Sequence, residues 1–430
     1  MAQPMILATM MVSLLFVTAR ADDWPQWRGP TRDGQWNETG LIESFASKEP
    51  APLWRAPIGP GYNGPVVADG RVFVMDRVTE PEESERIHCF DADNGKPVWS
   101  YRYACKYRNV QYPAGPRAAM LIDSGRAYSF GTMGHLFCFD AATGKILWQK
   151  DLLKDYKLRM PIWGIAAAPL VEGDKLIVLA GGQDGASVVA FDKVTGKEIW
   201  RALDDPIGYS APIVIDHGGK RTLVCWTGTR VVGLEPSDGK LVWEYPYKHS
   251  KMVINMPTPV DQDGLLFVSG FYDGSLLLKL SPDRTVSCAW RRFGPSEMET
   301  DSLHCCISTP VILGENIYGV DTYGQFRCLD RKTGDRVWED STAVPKARWA
   351  TIHFVQNGPT TWMFNERGEL VIGTLSPKGF HEISRARILE PTMDQLDQRG
   401  GVCWSHPAFA NRRVYARNDR ELVCVDLAKK

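Results

Sequence analysis

The sequence predicts an all-β protein, an eight-bladed β-propeller, and three repeated features support this fold class. The first is a turn of the form Asp-x-x-Thr-Gly-Lys-x-x-Trp, which is clearest at 140–148 and 192–200. The second is a short apolar strand that follows a small residue and a proline, as at Ala168-Pro169. The third is a spacing of about 40–55 residues between units, which suits the four strands of one propeller blade.

Each part of the repeated turn has a physical role. The Asp and Thr side chains hydrogen-bond the local backbone, and the Gly supplies a positive φ before the last strand. The Trp lies on that strand, where a large flat ring fits between neighbouring blades. Since one blade cannot bury both of its faces, the units must stack into a ring. The copies, two of them degenerate at the end of the chain, occur at 89–99, 138–148, 190–200, 233–243, 279–290, 328–338, 374–383 and 424–427.

The number of inner strands predicts eight blades, with seven as the alternative. The eighth unit ends after its third strand, so we expect residues 52–56 to supply the missing fourth strand. This closes the ring and removes an exposed sheet edge. The inner strands are expected to begin near Gly64, Ala118, Ala167, Ala211, Thr258, Thr309, Ala350 and Pro407.

The N-terminal segment predicts export. Residues 5–17 form an apolar run that is too short to span a membrane, and Ala19-Arg20-Ala21 has the form of a cleavage site. We therefore expect a signal peptide at 1–21, a leader segment at 22–51 and the propeller at 52–430. A disordered or buried N-terminal strand is the alternative. The predicted location is periplasmic or extracellular, and the predicted protein is a monomer with no membrane span.

Composition and missing motifs exclude several classes of function. The formal net charge is -1 and no basic stripe is present, so a nucleic-acid partner is not expected. The sequence also has no Gly-x-Ser-x-Gly, His-Glu-x-x-His or Walker-type motif, and no Cys-x-x-Cys-His haem attachment site. No common hydrolase, nucleotide-binding or cytochrome signature is therefore available.

The repeated turn resembles the tryptophan-docking motif of the pyrroloquinoline quinone (PQQ) repeat propellers. That superfamily includes the quinoprotein alcohol dehydrogenases and the outer-membrane assembly lipoprotein BamB. The resemblance extends from about Trp54 to the end of the chain. The segment 23–34, which begins Asp-Trp-Pro-Gln-Trp-Arg-Gly-Pro, is similar to the start of exported PQQ-like proteins that are abundant in planctomycete bacteria. Because the motif docks blades and holds no cofactor, the resemblance implies the fold more than the function.

The cysteines fall into two groups. Four of them occupy one position of the repeat, where other blades have Ala190 and Gly233, so we predict small buried core thiols at Cys89, Cys138, Cys328 and Cys424. The adjacent Cys305 and Cys306 precede the sixth blade. By resemblance to the PQQ alcohol dehydrogenases they form a vicinal disulfide, and the alternative is two cysteines that are unpaired or paired separately. The residues that follow the pair here differ from those of the dehydrogenases.

The loops that precede the inner strands converge on one face of a propeller and are the expected functional site. They carry aromatic rings, amides and cations, and almost no carboxylates. Such a set suits a planar, anionic or sugar-like ligand, and the alternative is that these residues only fill the channel. The candidate ligand-binding residues are Asn63, Arg117, Trp163, Tyr209, Asn255, His304, Cys305, Cys306, Arg348, Trp349, Trp404 and His406.

Two functions remain open on the sequence. The favoured one is a non-catalytic binding module of the cell envelope that takes a protein, peptide or polysaccharide and uses no cofactor or metal. The alternative is a PQQ- and calcium-dependent quinoprotein dehydrogenase that oxidises an alcohol or sugar. In that case Arg117 and Arg348 would hold the cofactor carboxylates and a rim tryptophan would stack on it. Calcium requires six to eight oxygen ligands, for which the inner loops offer only Asn63 and Asn255.

Overall fold

The computed structural model describes residues 22–430, within which 32 strands form eight four-stranded antiparallel sheets. The fold is the predicted eight-bladed β-propeller. The predicted signal peptide, residues 1–21, lies outside the described residues. The strands are numbered in chain order, so that β1 (Trp54–Pro57) precedes the first complete blade.

Seven blades are continuous in sequence, with the inner strand first. The first four blades are β2 (Val66–Ala68), β3 (Arg71–Val78), β4 (Ser84–Asp91) and β5 (Pro97–Ala104); β6 (Leu121–Asp123), β7 (Arg126–Phe130), β8 (His135–Asp140) and β9 (Ile146–Asp151), followed by α1 (Leu152–Asp155); β10 (Leu170–Glu172), β11 (Lys175–Leu179), β12 (Val188–Asp192) and β13 (Glu198–Ala202); and β14 (Ile213–His217), β15 (Lys220–Trp226), β16 (Arg230–Leu234) and β17 (Leu241–Pro246).

The remaining blades follow the same order. They are β18 (Val260–Gln262), β19 (Leu265–Gly270), β20 (Gly274–Leu280) and β21 (Val286–Arg292); β22 (Val311–Leu313), β23 (Asn316–Val320), β24 (Phe326–Asp330) and β25 (Arg336–Asp340); β26 (Ile352–Asn357), β27 (Thr360–Asn365), β28 (Glu369–Ser376) and β29 (Gly379–Arg387); and β30 (Ala408–Ala410), β31 (Arg413–Arg417) and β32 (Glu421–Asp426), which β1 completes.

The ring is closed by β1, as the sequence predicted. This strand pairs antiparallel with β32, from Trp54 opposite Cys424 to Pro57 opposite Glu421. The strand spans 54–57, slightly later than the predicted 52–56. The last blade therefore combines strands from both ends of the propeller. Because β1 pairs with β32, the hydrogen-bonding edge of β32 is not exposed.

A buried carboxylate reinforces this junction. Asp76 on β3 is fully buried, accepts two hydrogen bonds from the Arg86 guanidinium at 2.7 and 2.6 Å, and accepts another from the backbone N of Gly59 at 2.5 Å. Arg417 on β31 donates to the backbone oxygens of Met75 and Gly59. Burial alone would raise the pKa of Asp76, but His88 and Arg86 outweigh it and hold that pKa well below its usual range. The first and last blades are thus joined by charged hydrogen bonds as well as by strand pairing.

The repeated tryptophans dock each blade onto the next. Trp99, on the last strand of the first blade, donates from Nε1 to the backbone oxygen of Ala141 at 3.0 Å in the following blade's turn. Its ring covers Gly144, whose φ is +73°, so closely that a Cβ there would lie 2.5 Å from the ring. Within residues 22–430, six of the eight blade junctions carry such an indole–carbonyl hydrogen bond, donated by Trp54, Trp99, Trp148, Trp200, Trp290 and Trp338.

The turn itself is held by an Asp and a Thr side chain, as in the second blade. Asp140 Oδ1 accepts hydrogen bonds from the backbone N of Thr143 at 2.8 Å and from its hydroxyl at 2.7 Å. The predicted core thiols are also confirmed, since Cys89, Cys138, Cys328 and Cys424 are buried and unpaired. The turn chemistry and the small buried position were therefore both correctly inferred from the repeat.

The leader crosses the channel instead of lying outside the ring. Trp24 exchanges backbone hydrogen bonds with Val67 of β2 at 2.8 and 2.9 Å. The backbone oxygen of Pro25 accepts a hydrogen bond from Ile122 N, next to the first residue of β6, at 2.8 Å. Farther along, Trp36 N donates to the oxygen of Gln356 on β26 at 2.8 Å. The leader thereby adds backbone hydrogen bonds to the inner strands of the first, second and seventh blades.

Docking of the tryptophan onto the turn predicts that two glycine substitutions lower the free energy of unfolding by different amounts. Gly144→Ala and Gly125→Ala both place alanine at φ +73°, but a Cβ at Gly125 meets nothing within 4 Å. We expect Gly125→Ala to cost about 1–2 kcal/mol from left-handed strain alone. Gly144→Ala should cost roughly 1–3 kcal/mol more, because the new methyl group displaces the Trp99 ring. Urea unfolding of both variants measures the difference, and equal losses would refute the docking explanation.

Candidate functional site

A cavity of about 330 Å³ occupies the end of the channel where the loops before the inner strands converge. Its wall is predominantly aromatic. The rings come from these loops, from the β19–β20 loop, from strand β26 and from the leader, and they are Trp27, Tyr62, Tyr112, Trp163, Tyr209, Tyr272, Trp349, His353, Trp404 and His406. Alanine, isoleucine and methionine side chains fill the spaces between the rings. The sequence thus forms a pre-shaped apolar site with a few polar groups, as small-molecule sites commonly have.

Neighbouring rings in the wall support one another. Tyr112 meets Trp349 edge-on with ring centroids 6.0 Å apart, and it meets Trp163 edge-on at 6.5 Å. Trp163 in turn contacts Tyr209 at 5.1 Å. Tyr112 and Trp349 both hold a left-handed backbone, with φ of +52° and +64°. Bulky residues rarely adopt this conformation, which costs about 1–3 kcal/mol and tends to occur at functional sites.

The floor of the cavity is built by the leader and by two histidines. Trp27 donates from Nε1 to the hydroxyl oxygen of Thr258 at 2.7 Å and packs edge-on against His406, with ring centroids 4.7 Å apart. His353 is hydrogen-bonded from Nε2 to the backbone oxygen of Trp404 at 2.9 Å. Burial lowers the pKa of His353 to about 4, and burial together with His353 lowers that of His406 to about 3. Both imidazoles are therefore neutral at physiological pH.

Two arginines give the cavity its positive charge. Arg117 donates to the backbone oxygens of Gly115 at 2.8 Å and Gln111 at 2.9 Å, and its guanidinium stacks on Tyr62 at 4.8 Å. Arg348 is exposed and stacks on Trp349 at 4.9 Å. Among the described residues, neither guanidinium pairs with a carboxylate, and the cavity wall contains no Asp or Glu. The cavity is therefore apolar inside and positively charged at its mouth.

Two polar atoms in the wall lack partners. The indole N–H of Trp163 and Nε2 of His406 are both buried and have no hydrogen-bond partner among the described residues. The other nitrogen of His406, Nδ1, faces the backbone oxygen of Pro407 at 3.4 Å, which makes Nε2 the acceptor of the neutral ring. Both atoms are enclosed by protein and have almost no accessible surface, so neither opens onto the cavity.

The structure brings together eight of the twelve predicted site residues at this cavity. They are Arg117, Trp163, Tyr209, Cys306, Arg348, Trp349, Trp404 and His406. The other four predicted residues lie behind the wall, where each has a structural role.

The two predicted amide ligands are occupied by the backbone. Asn255 accepts from Tyr209 N at 3.0 Å and donates to the oxygens of Trp226 and Thr227. Asn63, in the amide orientation that satisfies both of its atoms, donates to Met75 O at 2.9 Å and accepts from Met75 N at 3.0 Å. Because these amides satisfy buried backbone groups between blades, the expectation that they face the cavity was wrong.

His304 and Cys305 also lie behind the cavity wall. Nδ1 of His304 hydrogen-bonds the backbone oxygen of Phe271 at 2.9 Å. Cys305 packs in a separate apolar cluster around Phe267 and Leu277, whereas Cys306 packs beside the cavity. Both cysteines are unpaired, so the vicinal disulfide implied by resemblance is not present in this structure. Burial raises the pKa of both thiols to about 12.

Sequence reasoning missed several wall residues, notably Trp27, Tyr272 and His353. Trp27 belongs to the leader, which lies outside the repeat, so no position in a blade indicated it. Tyr272 follows the second strand of its blade, and His353 is the second residue of β26. In an alignment of the repeats, Tyr272 and His353 are aromatic at positions where other blades have smaller residues. This difference could have indicated both of them.

The donor set does not fit a calcium ion. Calcium prefers carboxylate and carbonyl oxygens, and the wall instead presents rings, two guanidinium groups and thiol sulfur. No group of three His, Cys, Asp or Glu side chains among residues 22–430 is arranged to hold a metal ion. The cavity wall therefore does not offer the carboxylate oxygens that a calcium-bound quinone cofactor would need.

The eight docked blades define a PQQ-repeat β-propeller. The family model described as outer membrane protein assembly factor BamB matches residues 38–118 and 110–340, and the chain belongs to this PQQ-repeat family. The crystal structure of BamB from Moraxella catarrhalis has the same fold, with a TM-score of 0.58 and 18% sequence identity over 87% of this chain and 97% of that chain.

Curated relatives fall into two functional groups. The 1-butanol dehydrogenase (quinone) of Thauera butanivorans is 29% identical over 180 residues, which cover 39% of this chain and 28% of the dehydrogenase. The outer membrane protein assembly factor BamB of Nitrosomonas eutropha is 24% identical over 251 residues, or 56% of this chain and 54% of that protein. The matched region thus spans little more than a quarter of the dehydrogenase and about half of BamB. Within residues 22–430, no helix has the length and apolarity needed to cross a membrane.

The buried histidines predict an unusual titration. Because burial lowers the pKa values of His353 and His406, we expect their imidazole Cε1–H resonances to stay at the neutral-form chemical shift from pH 8 down to about pH 5. Nuclear magnetic resonance of histidine-labelled protein measures this, with assignments from His353→Gln and His406→Gln. Both groups bind protons more readily when unfolded, so they stabilise the fold above pH 6.5 and this contribution declines as the pH falls below that value. A midpoint near pH 6.5 for either resonance would contradict the burial argument.

Proposed function

We propose that the chain is a non-catalytic binding protein of the cell envelope, which holds its ligand or partner segment in the aromatic cavity. The observation that carries this proposal is the strained aromatic wall. Tyr112 and Trp349 keep their rings in the cavity although both require a left-handed backbone. Packing of the channel alone does not need two such residues, whereas a preorganised binding site gains affinity from rings that are already in place.

The titratable groups of the cavity support binding more than chemistry. The Cys306 thiol has a raised pKa because it is buried, so it is protonated at neutral pH and is a weak nucleophile. The pKa values of His353 and His406, near 4 and 3, are far from the value that suits a general base at neutral pH. The cavity wall also has no carboxylate to orient either ring.

The proposed location rests on the N-terminal sequence and on the relatives named BamB. Residues 5–21 have the pattern of an exported protein, and BamB is described as an outer membrane protein assembly factor. We therefore place the protein in the periplasm or outside the cell, as a monomer with a protein, peptide or polysaccharide partner. The exposed Arg348 at the mouth would meet that partner first.

Affinity capture from a cell-envelope extract tests this function. Immobilised wild-type protein should retain a saturable component, and Trp349→Ala should retain at least about tenfold less of it, since aromatic anchors dominate binding energy. Phe293→Ala is the matched control, because Phe293 is 67% exposed and lies outside the cavity. Equal retention by all three proteins would show that the cavity is not the binding site.

The alternative function is a PQQ-dependent dehydrogenase, which is favoured by the quinone dehydrogenase relatives and by Arg348 next to Trp349. Titration of the protein with PQQ and Ca²⁺, followed by tryptophan fluorescence, separates the two functions. The binding proposal expects no saturable quenching. Quenching that saturates near one equivalent and disappears in Arg348→Ala would support the dehydrogenase instead.

A further inference from the structure

The chemistry of the cavity narrows the ligand class, an inference that rests on the proposed binding function. The interior wall offers a ligand mainly aromatic and aliphatic surface. Some of its rings meet edge-on, as Tyr112 and Trp349 do with planes 83° apart, and others stack, as Tyr62 and Trp404 do with planes 30° apart. A planar ring placed among such walls makes both edge-to-face and stacked contacts. At about 330 Å³ the cavity is at the small end of ligand sites, which suits one ring with a short substituent.

The mouth of the cavity favours a negatively charged group on the ligand. Arg348 has no hydrogen bond or ion pair with any described residue, and only its ring contacts with Phe271 and Trp349 hold it in place. Its guanidinium N–H groups are therefore available for bidentate binding of a carboxylate. Arg117, whose N–H groups already bind backbone oxygens, adds a second positive charge that no carboxylate of the wall neutralises. An anionic end of the ligand would thus lie at the exposed side of the cavity.

The interior offers a ligand no open polar partner. Nε2 of His406 and the Trp163 indole N–H lack hydrogen-bond partners among the described residues, but both atoms are enclosed by protein. A polar group of the ligand in the interior would therefore lose its water without a replacement, which is costly. The charged end of the ligand is confined to the mouth, and its remaining surface must be apolar.

We infer that the cavity binds a small free aromatic carboxylic acid, such as a phenyl alkanoate. Its carboxylate pairs with Arg348 at the mouth, and its ring lies among Tyr112, Trp163 and Trp349. A sugar fits less well, because its many hydroxyls need more polar partners than the wall provides. The leader closes the opposite end of the channel, so a polymer cannot pass through.

Calorimetric titration of the full mature chain with a matched set of probes tests this inference. The set is 3-phenylpropanoate, its methyl ester, 3-(4-hydroxyphenyl)propanoate and a blocked tripeptide ending in phenylalanine. We expect 3-phenylpropanoate to bind at one site and its ester to bind at least about tenfold more weakly. The acid with a ring hydroxyl should bind about fivefold more weakly, because the wall has no open partner for the hydroxyl. Equal affinities for the acid and the ester would overturn the inference, and so would tighter binding of the tripeptide, which would indicate a polypeptide C-terminus instead.

One variant assigns the polar contact at the mouth. In Arg348→Gln the difference in affinity between the acid and its ester should fall below about twofold. Arg291→Gln is the matched control, because Arg291 also stacks on a tyrosine, Tyr247 at 4.5 Å, but lies outside the cavity. An unchanged difference in Arg348→Gln would refute the assigned contact. The probe series on the wild-type protein keeps the inference testable if a variant does not fold.

The outcome separates this inference from the proposed function. If none of the acids binds while capture of an envelope component still depends on Trp349, the ligand class is wrong and the binding function stands. If neither is observed, both are wrong.

Discussion

The contact on which the rest of the structure depends is the insertion of a tryptophan from one blade into the turn of the next. The turn glycine leaves the space for the ring, and the turn carbonyl accepts the indole hydrogen bond, as Trp148 shows against Gly196 and Lys193. A four-stranded sheet cannot bury both of its faces alone. Each docked ring therefore fixes the position of the next sheet, and six of the eight junctions among the described residues are held in this way. The loop convergence that forms the cavity follows from this geometry.

Closure makes the N-terminal part of the chain essential to the last blade. β1 supplies its outer strand, and the same segment continues from a leader whose Trp24 and Trp36 are buried in the core of that region. The leader also provides Trp27 at the cavity floor. Fold and site are thus coupled, because one N-terminal segment supplies both the strand that seals the ring and the leader that forms the cavity floor.

Local, repeated features were predictable from the sequence, and single long-range ones were not. The turn 140–148 and the strand 54–57 could be inferred because each satisfies a requirement that recurs in every blade. Trp243 shows the limit of this reasoning. It occupies the docking position, but the next blade's turn is degenerate, so its ring packs over Gly233 of its own blade and its Nε1 has no partner among the described residues. The repeat predicted its position and not its contact.

The site residues that could be predicted from the sequence are those whose side chains have no buried backbone group to bind. Arg348 and Trp349 precede an inner strand and line the cavity as expected, because a stacked cation needs no further partner. Asn255 occupies the same kind of position, yet its amide turns inward to bond Trp226 and Thr227. In a tightly packed channel, backbone groups that have no strand partner compete for every nearby amide. The direction of such a side chain depends on the neighbouring blade, which the local sequence does not specify.

The same competition explains the electrostatics of the cavity. Carboxylates in this propeller are used between strands and blades, where Asp76 binds Arg86 and Asp321 lies 3.3 Å from the buried Arg327. The cavity wall receives none of them, so its arginines keep their charge without a partner. A site that retains calcium needs the opposite distribution, with carboxylates directed into the channel. Blade docking constrains the turns and leaves the loops free to differ, so a propeller of this family can place an apolar, cationic pocket at its loop face.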